Sequence, residues 1–139
     1  ICGELNKQLA GSMSVIYRPK PSWWANDDEE KKIIPPDTIF SGPNDSFPAL
    51  LKDCHCLVTH GSNAAVEALV AGVPVLLTSE EGISVVWSLA EGNMGNIANP
   101  FWPTDRNREK LLSNLAWCQY SIEEINSGFA WSIIKQWVK

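Results

Sequence analysis

The chain has 139 residues, about one domain's worth, with 11 Lys and Arg against 16 Asp and Glu and a formal net charge of −5. That sign argues against a nucleic-acid partner, because phosphate backbones call for clustered Lys and Arg. A hydrophobic fraction of 45% excludes wholesale disorder, and no apolar run approaches the ~20 residues of a membrane span.

Residues 1–10 read as the end of a helix broken by Gly11. Ser14-Val15-Ile16-Tyr17 predicts a strand stopped by Pro19 and Pro21. Residues 22–36 predict a long exposed loop with room for one helical turn: they hold Trp23-Trp24, a charge run over 27–32 and a Pro-Pro stop. Thr38-Ile39-Phe40 predicts a second strand, followed by a Ser-Gly-Pro-Asn turn. Residues 46–53 predict a short helix capped by Asp45 or Ser46, with Pro48 in its first turn.

Cys56-Leu57-Val58-Thr59 predicts a third strand, and residues 63–71 a helix ended by Gly72 and Pro74. Residues 73–78 predict a fourth strand, apolar without a break as far as Leu77, as expected of a parallel strand covered on both faces. Residues 84–91 predict a further helix and Asn96-Ile97-Ala98 a short fifth strand. Residues 105–118 predict a helix capped by Asp105, with Leu111, Leu112, Leu115 and Trp117 at helical spacing. Residues 121–138 predict one or two closing helices with a turn near Gly128. This alternation predicts one α/β domain over residues 1–139, a Rossmann-like open parallel sheet with helices on both faces.

The four cysteines are too sparse for a disulfide-stapled scaffold, which predicts reduced thiols in a cytoplasmic protein. Cys54-His55-Cys56 resembles half a zinc site, but no second CxxC pair exists, and packing accounts for the pair without a metal. The chain opens at Ile1 with neither an initiator Met nor a signal-peptide pattern, which predicts a piece of something longer.

In an open α/β sheet, ligands bind outside the carboxyl ends of the strands. There the four predicted strands place Arg18, Pro19 and Lys20, then Ser41, Gly42 and Asn44, then His60, Gly61, Ser62 and Asn63, then Ser79, Glu80, Glu81 and Gly82. The third set is the most specific, because it joins a strand directly to a helix N-terminus, where free amides and the positive dipole end favour an anion. Plain helix capping is the competing account of Ser62 and Asn63. Glu67 lies four residues after Asn63 on the same face, where a carboxylate suits vicinal ribose hydroxyls; its competing account is a solvated surface residue.

The stretch from Leu57 to Leu77, LVTHGSNAAVEALVAGVPVLL, resembles the donor-site signature of GT-B glycosyltransferases. IYRPKP, residues 16–21, is similar to the His-Pro motif of capsule-polysaccharide-type and sialic-acid-type transferases, with Lys20 where that motif has His, which leaves CMP and UDP or GDP donors both open. The resemblance covers residues 15–82 and implies the C-terminal, donor-binding half of a two-domain glycosyltransferase, whose partners are a nucleotide-sugar donor, a saccharide acceptor and an N-terminal domain. It implies that His60, Gly61, Ser62 and Asn63 hold the donor phosphates and Glu67 the ribose. By the same resemblance Glu80 and Glu81 face the sugar hydroxyls and Lys20 balances phosphate charge, with Ser41 and Gly42 at the same edge. The same resemblance implies that the catalytic base lies outside this chain, in the N-terminal half. The sequence supplies no Asp-x-Asp pair, so transfer without a metal or other cofactor is expected.

Nucleotide-sugar 2-epimerases share the fold but carry an Arg shortly after the fourth strand, where this chain has Glu80-Glu81; that favours transfer. A non-catalytic nucleotide-binding or interaction domain is the third reading. No GxSxG, GxxxxGK[ST] or GxGxxG is present. Trp23 and Trp24 suit either stacking on an acceptor sugar or covering by another domain. Trp87, Trp102, Trp117, Trp131 and Trp137 are expected in a core or an interface, and His55 on a surface or an interface.

Overall fold

Caps and glycines set the local boundaries where the sequence places them. In the computed structural model, which describes residues 1–20, 31–42, 44–79, 81 and 83–138, the chain divides into two units, Ile1–Asp53 and Cys54–Lys139.

In the first unit, helix α1 (Cys2–Leu9) buries Leu5 and Leu9 and packs on strands β1 (Val15–Tyr17) and β2 (Thr38–Phe40). The two strands run parallel, Val15 opposite Thr38 and Tyr17 opposite Phe40. Asn6 Nδ2 donates to Thr38 Oγ1 at 3.0 Å, which satisfies a buried hydroxyl. Residues 31–33 are helical, whereas the tryptophan pair and most of the charge run lie outside the described residues. Helix α2 (Phe47–Lys52) is capped by Ser46, whose Oγ accepts from Ala49 N at 3.3 Å, so Ser46 rather than Asp45 is the cap.

In the second unit, β3 (Leu57–Thr59) and β4 (Val75–Leu77) are parallel, joined by helix α3 (Ala64–Ala71). The apolar run becomes the centre of the core: Val75, Leu76 and Leu77 are at most 1% exposed. Gly72 ends α3 at φ +82°, a left-handed backbone that costs a residue with a Cβ ~1–2 kcal/mol.

Two predicted elements fail in this unit. Residues 84–91 form only a 3-10 turn, Trp87–Leu89, and then Glu91 pairs with β4, its N–H on Val75 O and its C=O on Leu77 N, both at 2.8 Å. Val85 and Val86 are weak helix formers, and the open edge of β4 offers two backbone bonds that a helix through Glu91 would forfeit. Residues 96–98 form no strand. Asn93 Oδ1 accepts from Gly95 N at 2.9 Å and caps the 3-10 turn Met94–Asn96, and Ile97 is buried behind it.

Helix α4 (Asp105–Trp117) is capped by Thr104 instead of Asp105, and α5 (Ile122–Asn126) and α6 (Phe129–Ile134) close the chain around Gly128. Arg108 of α4 pairs with Asp105 and donates to Leu69 O at 2.8 Å, which seals the C-terminal end of α3.

The architecture is thus mixed α/β, with its strands in two parallel pairs, β1–β2 and β3–β4. No helix among the described residues is long and apolar enough to cross a membrane. Trp102, Trp117, Trp131 and Trp137 are exposed, so none of them is core; Trp87 is half-buried against Gly92.

Candidate functional site

The turn between β3 and α3 is held by short side chains. Thr59 Oγ1 accepts from Ser62 N at 3.4 Å, and Ser62 Oγ accepts from Ala64 N at 3.2 Å. Capping therefore explains Ser62. It does not explain Asn63, which occupies the cap position in αR geometry with no side-chain cap bond and stays exposed. The amides of Gly61 and Asn63 have no hydrogen-bond partner among the described residues. These are the donors that an anion at a helix N-terminus would use.

His60 is exposed at the carboxyl end of β3, and its Nδ1 lies 3.4 Å from Oγ1 of Thr78, the residue after β4. The parallel register brings two strand ends together, and a side chain from each meets there. Sequence reading counted Thr78 as strand and missed it; the signal was its place as the first polar residue after the apolar run. A Cβ on Gly61 would come within 3.3 Å of the Ile83 side chain, so glycine keeps the turn's backbone uncovered. Glu67 is exposed in the first turn of α3, where its carboxylate also complements the helix dipole. Glu81 is exposed, while Glu80 lies outside the described residues. Ser79 Oγ, next to Thr78, is buried without a partner among the described residues.

In the first unit Lys20 is exposed. Ser41 is 2% exposed, and its hydroxyl accepts from Arg18 Nη1 at 2.9 Å, so it is already engaged within the protein. Gly42 O accepts from the same Nη1 at 2.9 Å, and Gly42 N donates to Asp45 Oδ2. Arg18, passed over in favour of Lys20, organises these strand ends; an Arg directly before a proline that closes a strand was the available signal.

Cys54 and Cys56 precede β3, which begins at Leu57 and not at Cys56. Cys54 Sγ donates to Cys56 O, and His55 Nε2 donates to Ile97 O at 2.9 Å. His55 is therefore half-buried and ties two loops together. Burial pushes both thiols up, Cys56 to about 11, with the neighbouring Cys54 adding to the shift. Among the described residues no group of three or more His, Cys, Asp or Glu is placed to hold a metal ion. An open cleft of about 360 Å³ lies between the closing helices, lined by Trp117, Tyr120, Phe129 and Ile133 with Gln119 and Glu124, and none of the described candidate donor residues lines it.

The fold and the turn together define a mixed α/β chain with an uncovered strand–turn–helix junction. Comparison with known proteins adds no relative: no family model, curated protein or solved structure matches the chain.

Proposed function

We propose that this chain is the donor-binding half of a GT-B-type glycosyltransferase, moving a sugar from a nucleotide sugar to a saccharide acceptor in the cytoplasm. The observation that carries the reading is the junction after β3: an exposed His60 beside Thr78, an Asn63 whose side chain makes no cap bond, two amides unspent among the described residues and an exposed Glu67 one turn on. A diphosphate or monophosphate would sit on those amides at the positive end of α3, and Glu67 would take the ribose hydroxyls. As the donor bond breaks, the leaving phosphate gains charge, and oriented amides stabilise it without reorganising.

The reading rests on the second unit's own strand–turn–helix junction, with Glu80 and Glu81 following β4 to meet the sugar hydroxyls. It assigns the base that activates the acceptor to a further domain of a longer protein. Calorimetry against CMP, UDP and GDP tests the binding half. Glu67→Ala should weaken nucleotide binding roughly tenfold or more, the typical cost of a charged bidentate contact; an unchanged affinity would leave Glu67 a surface residue. Incubated with labelled nucleotide sugars and acceptor, the 139 residues should bind but transfer nothing. Turnover would place the base within this chain.

A further inference from the structure

We propose that Arg18 forms a preorganised oxyanion site of phosphate type at the carboxyl ends of β1 and β2. Arg18 follows the last residue of β1, and Ser41 follows the last residue of β2, at the next step of the parallel register. Nη1 spends both of its hydrogens, on Ser41 Oγ and Gly42 O, each at 2.9 Å. The guanidinium carbon lies 5.6 Å from the centre of the Phe47 ring, which holds the other side of the group. The side chain is therefore fixed at two points and half-buried.

What it lacks among the described residues is a counter-charge. No carboxylate among the described residues pairs with it; the nearby Asp45 directs Oδ2 to Gly42 N. A guanidinium has five N–H donors, and the three on Nε and Nη2 are unspent among the described residues. A half-buried cation held only by neutral partners has lost water without gaining a negative charge, which a bound oxyanion would supply. The unspent donors form the fork that matches two oxygens of one phosphate. Lys20, exposed and only two residues on, adds a second positive charge and favours a multiply charged anion over a single carboxylate.

The inference stands on the first unit alone and is independent of the turn at His60. Its probe is inorganic pyrophosphate, titrated by calorimetry into the full chain, with UDP in parallel. Arg18→Gln should weaken pyrophosphate binding roughly tenfold or more at an unchanged far-UV circular dichroism spectrum. Arg18→Lys keeps the charge but loses the fork, and should weaken binding by a smaller, several-fold factor. A matching loss for UDP assigns the group to a nucleotide; a loss confined to pyrophosphate assigns it to a free anion. Glu67→Ala should leave pyrophosphate affinity unchanged, so a failure of the ribose contact is read separately. Absence of pyrophosphate binding by the parent, or equal affinity in Arg18→Gln, overturns the proposal. If Arg18→Gln does not fold, Arg18→Lys decides: unchanged affinity overturns it, and a several-fold loss supports it.

Discussion

Two regions of the second unit carry similar apolar content and treat it in opposite ways. Around β4 the apolar side chains are enclosed: Val75 and Leu76 are 0% exposed, and Ala65, Ala68 and Leu69 of α3 are also at 0%. At the C-terminal end Trp117, the last residue of α4, is 81% exposed, Trp131 of α6 61% and Trp137 beyond it 82%, and Ala130 is the only buried residue of α5 and α6. The difference is one of neighbours. β4 has backbone partners on both sides, β3 and Glu91, and a helix against it. The closing helices meet chiefly one another. An apolar pattern states which side chains gain from burial; whether they are buried depends on what else the chain supplies.

Truncation should expose this contrast most strongly. Leu69→Ala should cost ~2–5 kcal/mol, because it opens a cavity in a closed core, whereas Trp137→Ala should fall within ~0.5 kcal/mol. Urea denaturation of the two variants checks it, and similar costs would break the comparison.

A finer version uses two glycines with the same backbone. Gly72 and Gly128 sit at φ +82° and +79°, but a Cβ at Gly72 would meet Arg108 Nη1 at 3.1 Å while one at Gly128 would meet nothing within 4 Å. Gly128→Ala should cost ~1–2 kcal/mol for the left-handed backbone alone. Gly72→Ala should cost more, because it also pushes Arg108 from the end of α3, and denaturation midpoints measure the excess.

The thiols give the smallest effect. Cys118 is exposed at the end of α4, so a thiol reagent at mildly alkaline pH should label it ahead of Cys54 and Cys56, whose raised pKa values keep the reactive thiolate scarce. Mass spectrometry of tryptic peptides reads the order. The same shift ties stability to pH. The folded state holds the Cys56 proton up to about 11, above the ordinary thiol value of ~8.5 in the unfolded chain. The folded state therefore binds more protons across that window, so this contribution is full below the unfolded value and is lost as pH rises through the folded one. Stability should fall between those two values, and Cys56→Ala should flatten the slope.

Much of the fold was legible because its signals are local. Ser46, Gly72 and Gly128 act within one turn of themselves, and the strand pattern over 15–17, 38–40, 57–59 and 75–77 needed only β-branched and apolar runs between breakers. Residues 84–91 were misread because their partner, the free edge of β4, lies elsewhere in the chain. Thr104 displaced Asp105 as cap for a related reason. Asp105 is engaged by Arg108, and Thr104 Oγ1 accepts from Asn107 N. At the candidate site, Gly61, Ser62, Asn63 and Glu67 could be proposed from one contiguous stretch, whereas the His60–Thr78 contact and the Arg18 clamp join residues 18 and more apart in sequence.

By itself the sequence determined the mixed α/β class, the order of short strands and capped helices, and the turn at 60–63 where a helix begins directly after a strand. Those follow from side-chain and backbone preferences that each residue carries wherever it is placed. Only the tertiary structure decided that Glu91 would leave a helix for β4, that Arg18 would grip Ser41 and Gly42 with no carboxylate partner among the described residues, and that the closing tryptophans would stay uncovered. Hydrogen bonds and burial are relations between distant residues, and their free energy is defined only once the chain has brought both partners together.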